Sequence, residues 1–220
     1  MKIKKIGHCC LFIQTEKLNI LTDPGNFSVG QDLIKDIDVI LITHEHTDHI
    51  HVSSLKEIIQ NNPTVRIITN SGVANILDKE DIKYEILEAG IKEVNQFVFE
   101  AFDSKHEEIF EQIGQVKNTA YFMNKELFYP GDSFCDPKRE VNILALPVSG
   151  PWCKVSDAIK YALALKPKKV FPVHDGMLQE NRVGGAHRIP EKVLIENNIE
   201  FVPMFSGDER DFQLTLFRFG

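Results

Sequence analysis

The sequence predicts an α/β (α+β) fold in which helices cover a core made of sheets. Short apolar runs with strand-like composition recur along the chain, and helix signals lie between several of them. No low-complexity run or Ser/Gly linker interrupts the sequence. We therefore expect residues 1–220 to form a single domain.

The apolar runs predict the strands, and local signals between them predict three helices. The first helix has Ser54 and Glu57 in capping-box spacing, and the second opens at Ser156 and is stopped by Pro167. The third has Pro190 in its first turn and runs through residues 193–198. The predicted strands cover residues 2–6, 10–14, 18–23, 38–43, 65–69, 97–102, 119–124, 126–130, 142–148, 168–173 and 212–219.

Composition disfavours several classes of protein. The chain has 25 Lys and Arg against 32 Asp and Glu, a net charge of −7 and a pI near 5.6, so its surface as a whole does not suit nucleic acid or anionic lipid. No apolar run is long enough to predict a membrane span, and the amino terminus has no hydrophobic signal core. The 4 cysteines show no CxxC spacing and indicate reduced thiols, so we expect a cytoplasmic protein.

A dense group of metal-ligand residues follows the predicted strand 38–43. The sequence there reads His44-Glu45-His46-Thr47-Asp48-His49, which places three imidazoles and a carboxylate within six residues. Nitrogen and oxygen donors at the end of one strand suit zinc, iron or manganese. The alternative for a lone His-x-His is a solvated surface loop, but the added Asp48-His49 pair favours a metal site.

Three further donors each follow another apolar run. His106 follows residues 97–105, Asp132 follows 126–131, and His174 ends the run 168–173. Because loops converge at the carboxyl ends of strands, these side chains are expected to meet the histidine motif at one edge of a sheet. Taken singly, His174 also fits a core histidine, His106 a charged surface segment, and Asp132 an ordinary turn.

These features resemble the metallo-β-lactamase superfamily, in particular its small predicted metal-dependent hydrolases near the ascorbate-phosphate lactonase and N-acylphosphatidylethanolamine phospholipase branch. The resemblance implies a four-layer αββα sandwich with a dinuclear site. One divalent ion would be held by His44, His46 and His106, and the other by Asp48, His49 and His174, with Asp132 bridging them. Zinc is the expected metal, with manganese and iron as alternatives. The segments that carry the resemblance are Gly7-His8, residues 21–24, residues 44–49, Gly131-Asp132 and residues 168–174.

Departures from the superfamily's patterns narrow the choice. Class B lactamases have Cys at the position of Asp132, glyoxalase II enzymes follow the motif with glycines where this chain has Ile50-His51, and flavodiiron proteins have Glu at the position of His46. Transfer-RNA 3′ processing enzymes share the ligand set, but this chain shows no segment that resembles their substrate-gripping arm. The resemblance therefore favours hydrolysis of an ester, lactone or phosphodiester by metal-bound hydroxide.

Two residues are predicted to act in catalysis. Asp48 would bind one ion and orient the nucleophile through its other oxygen, and His8 would donate a proton or contact the substrate. The alternative for His8 is a histidine packed in the first hairpin. Other functions kept open are an iron-dependent oxidoreductase of the same fold and a non-catalytic metal- or ligand-binding module.

The expected partner is a small-molecule substrate, anionic substrates included, with no nucleic acid and no membrane. Trp152 and His187-Arg188 would line its pocket and meet an anionic group, or else be a packed aromatic and a helix-start loop. Asp23 would orient a ligand imidazole, or be a turn residue before Pro24. The cysteines are expected to be buried apolar residues rather than nucleophiles, and His51 an exposed loop residue. The oligomeric state is not predicted.

Overall fold

The computed structural model describes residues 1–179 and 183–212, which form two seven-stranded mixed sheets. The first sheet has the strand order β14-β1-β2-β3-β4-β5-β6, in which the strands are β1 Lys2–Lys5, β2 Leu11–Gln14, β3 Asn19–Thr22, β4 Val39–Leu41, β5 Arg66–Thr69, β6 Glu85–Ile86 and β14 Glu209–Asp211. The second has the order β13-β12-β11-β10-β9-β8-β7, made of β7 Gly90–Val94, β8 Phe97–Lys105, β9 Lys117–Met123, β10 Leu127–Tyr129, β11 Ile143–Pro147, β12 Lys169–Val173 and β13 Glu200–Phe201.

Helices lie on the outer face of each sheet. They are α1 Val52–Asn61, α2 Ser71–Lys79, α3 Val155–Leu165 and α4 Gly184–Glu196. Leu55 of α1 and Val73 of α2 belong to one apolar cluster with Ile40 of the first sheet. Ala162 of α3 and Leu194 of α4 belong to the cluster that covers the second sheet.

The central core lies between the two sheets. It joins residues such as Ile13 and Leu41 of the first sheet to Phe99, Tyr121 and Phe171 of the second, all of them fully buried. Alternating inward and outward side chains, as in the exposed-buried pattern of β1, supply this core. The order of layers is helix, sheet, sheet, helix, so the predicted αββα sandwich is confirmed.

The helix predictions are right in existence and partly wrong in their starting points. Helix α3 begins at Val155 and ends before Pro167 as expected. Helix α1 begins at Val52 with His51 as N-cap, so Ser54 does not cap it; its hydroxyl instead lies 2.9 Å from His51 Nδ1. Helix α4 begins at Gly184, which places Pro190 well inside the helix rather than in its first turn. Packing of a buried face that includes Ala186 and His187 outweighs the poor helix propensity of the two glycines.

Sequence reasoning missed helix α2 and the edge strands. Asn70 caps α2 by accepting hydrogen bonds from the N–H groups of Gly72 and Val73, a cue that was available in the sequence. The edge strands β7 and β14 are mostly exposed and polar, so no apolar run marks them. The strand predicted at residues 212–219 lies outside the described residues except for Phe212.

The carboxyl ends of several strands lie at the same edge of the sandwich. His8 follows β1, Asp23 follows β3, residues 44–49 follow β4, and Asp132 and His174 follow β10 and β12. Across residues 1–179 and 183–212, no helix has both the length and the apolar character that a membrane crossing requires.

Candidate metal centre

Buried polar contacts fix the position of the motif loop, which is the segment 44–49 that carries the histidine motif. Asp23 accepts hydrogen bonds from the backbone N–H and the hydroxyl of Thr43, at 2.7 and 2.8 Å. Gly25 lies against the same loop, because a Cβ there would come within 1.8 Å of the Asp48 carbonyl oxygen. The loop therefore has one position relative to the end of β3.

Seven donor residues predicted from the sequence are brought together at this edge. Their ligand atoms form two groups, and within each group the atoms lie within 4.8 Å of one another. One group consists of His44, His46, His106 and Asp132, and the other of Asp48, His49, Asp132 and His174. Asp132 is common to both groups. His106 is buried in spite of its charged sequence context, because the side chain turns inward at the end of β8.

Hydrogen bonds at Nδ1 orient three of the imidazoles. His49 Nδ1 donates to Asp23 Oδ2 at 2.8 Å, and His106 Nδ1 donates to the carbonyl oxygen of Glu107 at 2.6 Å. The hydroxyl of Thr43 donates to Asp23, so it accepts from His44 Nδ1 at 3.0 Å. Each ring then offers Nε2 to the cluster, which is the arrangement that second partners give to metal-binding histidines.

Three buried atoms that face the cluster have no hydrogen-bond partner among the described residues: His44 Nε2, His49 Nε2 and Asp132 Oδ1. Unpaired buried polar atoms are costly, and a cation facing these lone pairs would satisfy them. Imidazole nitrogens and carboxylate oxygens are also the donors that zinc, manganese and iron accept. The residues present therefore fit divalent ions.

Burial and neighbouring charges shift the pKa values in opposite directions. Burial lowers the pKa of His44 well below its ordinary value, and it lowers that of His46. Burial alone would raise the pKa of Asp132, but the charges of His49 and His174 outweigh it and hold that pKa well below the usual range. Burial would lower the pKa of His49, but the charge of Asp132 outweighs it and raises that pKa well above the ordinary value. Because metals bind neutral imidazoles and ionised carboxylates, a metal at this site would displace the proton from His49.

Trp152 is a site residue whose role the sequence did not decide. Its indole Nε1 donates to Asp132 Oδ2 at 3.1 Å, and its ring packs edge-on against His106 and His174. Of the two alternatives, the structure supports a pocket residue. His187 lies elsewhere: it is buried, and its Nε2 is 2.7 Å from Asp175 Oδ2.

Asp23 and His8 lie behind the cluster. Asp23 is fully buried and also accepts from the hydroxyl of Tyr129 at 2.6 Å, so its role of orienting His49 is supported over that of a simple turn residue. His8 is fully buried, accepts from the Gly176 N–H at Nδ1, and places Nε2 3.3 Å from Asp48 Oδ2. Burial lowers its pKa to about 4.

The cysteines are buried or half-buried free thiols. Cys9 lies beside His8, His49 and His174, but burial raises its pKa to about 12, and burial raises that of Cys153 to about 12 as well. Thiols with such pKa values are poor nucleophiles near neutral pH. His51 is half-buried at the start of α1 and is not part of either donor group.

A cavity of about 420 Å³ opens beside the donor groups. Five donor residues line it: His46, Asp48, His106, Asp132 and His174. The other described lining residues are Glu45, Thr47, Ile109, Pro151, Trp152 and Met177. His8 and His187 are not among the lining residues, so the substrate contacts expected of them are not supported.

Comparisons with known proteins agree with this fold. Protein Rv0786c of Mycobacterium tuberculosis is 29% identical over 190 residues, covering 84% of this chain and 88% of that protein. The UPF0173 metal-dependent hydrolase PH1671 of Pyrococcus horikoshii is 25% identical over 193 residues, covering 79% of this chain and 84% of that protein. The structure of Igni18, a metallo hydrolase of Ignicoccus hospitalis, shares the fold with a TM-score of 0.72 and 15% identity. The match covers 96% of this chain and 99% of that chain.

The class that the fold and the donor groups define is a metal-dependent hydrolase of the metallo-β-lactamase superfamily. The chain belongs to the beta-lactamase superfamily domain family, whose model matches residues 2–174. The resemblance seen in the sequence is thus confirmed for the superfamily, and its finer branch stays a prediction.

Proposed function

We propose that this chain is a hydrolase with a dinuclear metal site that cleaves an ester, lactone or phosphodiester bond. The observation that carries the proposal is the pair of buried donor groups that share Asp132 and line a cavity. His44, His46 and His106 would hold one ion, Asp48, His49 and His174 the other, and Asp132 both. Zinc is proposed first, with manganese and iron as alternatives.

Divalent ions in this site would lower the pKa of a water and polarise the bond to be cleaved. Asp48 lines the cavity, and its side chain is 19% exposed, so its carboxylate can accept a hydrogen bond from the attacking water and orient it. Burial alone would raise the pKa of Asp48, but the neighbouring His8 ring, 3.3 Å away, and the charge of His49 lower it, so Asp48 stays ionised.

His8 acts on Asp48 rather than on the substrate in this proposal. Its Nδ1 accepts the Gly176 N–H, so the proton of the neutral ring is on Nε2 and faces Asp48. His8 is therefore a positioning residue. The free thiols support the cytoplasmic location that we propose from the sequence, since cytosolic cysteines stay reduced.

The test is the Asp48→Asn variant. Two quantities are measured: its hydrolysis of activated esters and phosphodiesters, and its bound metal. We expect kcat to fall at least about 100-fold, because orientation and proton acceptance at the attacking water are lost, with a smaller loss of metal. Asp136→Asn is the matched control, because Asp136 is exposed and pairs with Lys138. A metal-replete Asp48→Asn protein with wild-type activity would contradict the assigned role.

A further inference from the structure

The cavity wall beyond the donor residues is apolar on one side. Ile109, Pro151, Trp152 and Met177 line it, and 48% of Met177 is exposed. Ile109 lies against Gly114, where an added Cβ would come within 2.5 Å of Ile109 Cδ1. Apolar side chains that face a cavity beside a reactive site bind the apolar part of a ligand.

The charge of the wall is negative away from the donors. Glu45 is the carboxylate among the lining residues that belongs to neither donor group, and no Lys or Arg lies among the described lining residues. Glu45 Oε2 lies close to Gly72 in the first turn of α2. Sites that recognise anionic groups use Arg, Lys or several N–H donors, so the described part of this wall does not suit a ligand with an additional negative charge.

Resting on the function proposed above, we infer that the substrate is an uncharged carboxylic ester or lactone with an apolar acyl or aryl group. The apolar group lies against Ile109, Trp152 and Met177, and Glu45 repels substrates that carry a carboxylate or phosphate there. Hydrolysis adds the oxygen of one water to the acyl carbon and breaks the acyl carbon–oxygen bond. One proton of that water goes to the leaving alkoxide oxygen and the other to solvent. An uncharged substrate differs from the anionic one that the sequence leaves open, because neither His187 nor Arg188 is among the described lining residues.

The experiment compares three probes on the zinc-reconstituted full chain. The p-nitrophenyl ester of pentanoic acid and the mono-p-nitrophenyl ester of glutaric acid differ at the end of the acyl chain by a carboxylate, and bis(p-nitrophenyl) phosphate tests phosphodiester cleavage. We expect kcat/KM for the pentanoate to exceed that for each of the other two at least tenfold. Glu45→Gln is expected to narrow the gap between pentanoate and glutarate by raising the glutarate value.

Ile109→Ala tests the apolar wall. A fourth probe, p-nitrophenyl acetate, has too short an acyl chain to reach this wall. The variant is expected to lower kcat/KM for the pentanoate roughly 10-fold more than kcat/KM for the acetate, mainly through KM, because the longer acyl chain loses its contact. Ile195→Ala is the control, since Ile195 is exposed on α4 and does not line the cavity. Bound metal is measured for every variant to show that the site is intact.

The possible failures are distinguishable. Preferred cleavage of the phosphate diester or of the glutarate ester would overturn the inferred substrate class and leave the hydrolase proposal standing. A protein that holds its metal and cleaves none of the three probes would overturn both. An Ile109→Ala effect equal for the acetate and pentanoate esters would overturn the role of the apolar wall.

Discussion

At the level of single side chains, the orientation of the site depends most on Asp23. Its carboxylate receives hydrogen bonds from Thr43, His49 and Tyr129, all of them buried. The contact with His49 keeps the proton on Nδ1 and leaves Nε2 for the donor group.

We predict that Asp23→Asn weakens metal binding about 10- to 100-fold, because an amide cannot replace the carboxylate as acceptor of all these bonds. Competition with a chromophoric chelator measures the change. Asp36→Asn is the matched control: both aspartates have positive φ, of 36° and 61°, but Asp36 is exposed. Equal affinities in the two variants would show that Asp23 does not orient His49.

The donor residues could be predicted from the sequence, whereas their supporting contacts could not. His44, His46, Asp48 and His49 are recognisable by spacing, and Asp132 by its place after a strand. The bond from Tyr129 to Asp23 joins residues 106 positions apart, and that from Trp152 to Asp132 depends on how β11 ends. Such contacts are set by sheet packing, which leaves no local pattern.

At the level of elements, the loop after β4 is placed by close packing against the turn after β3. A Cβ on Gly25 would come within 2.0 Å of the Asp48 carbonyl carbon and 2.5 Å of the His49 N. These are backbone atoms of the motif loop, so they cannot move away without moving two donor residues.

Gly25→Ala is therefore predicted to lower the free energy of unfolding by about 3 kcal/mol, as overpacking at a rigid site does, and to reduce bound metal. Gly185→Ala is the contrast, since a Cβ there meets nothing within 4 Å in helix α4. It should raise stability by up to about 1 kcal/mol, because alanine is the better helix former. Urea denaturation measures both, and a Gly25→Ala protein as stable as the wild type would show that the loop can yield.

Interior strands could be predicted from the sequence, and edge strands could not. The apolar run within residues 38–43 predicts β4, and it is apolar because each residue of that strand is buried. β14 has only exposed charged residues, and its position follows from pairing with β1. Helix starts were misplaced at Ser54 and Pro190 because tertiary packing outweighs local capping preferences there.

Over the whole molecule, Lys5 connects the two sheets. It extends from β1 of the first sheet and donates to the carbonyl of Pro172 in β12 of the second, at 2.9 Å, and to that of Met204 at 3.2 Å. Its Nζ also lies 2.6 Å from Asp175 Oδ1, and only 1% of the Lys5 side chain is exposed. Asp175 follows His174 directly, so this contact fixes the segment that carries a donor.

We expect Lys5→Met to destabilise the fold by about 3–5 kcal/mol, because it leaves the Asp175 carboxylate buried without its cation. Lys2→Met on the same strand removes an exposed pair with Glu209 and should cost less than about 1 kcal/mol. Thermal and urea unfolding compare the two variants. Similar losses in both would mean that the buried pair adds nothing beyond a surface contact.

The resemblance to the superfamily implies the two-sheet sandwich, but it does not imply this cross-sheet contact. A lysine in the alternating segment 2–5 is expected to face solvent, as Lys2 and Lys4 do. Lys5 instead takes a buried position, where Asp175, the carbonyl of Pro172 on the facing sheet and the carbonyl of Met204 pair with its ammonium group.

The measurement that tests the central claim most directly is metal content per chain, by plasma emission spectroscopy, on protein purified without added metal. We predict about two ions in the wild type, with clear losses in His106→Ala and Asp132→Ala. We expect no loss in His51→Ala, whose side chain is outside both donor groups. A single iron that is unchanged by Asp132→Ala would contradict the dinuclear site and favour an iron-dependent oxidoreductase of the same fold.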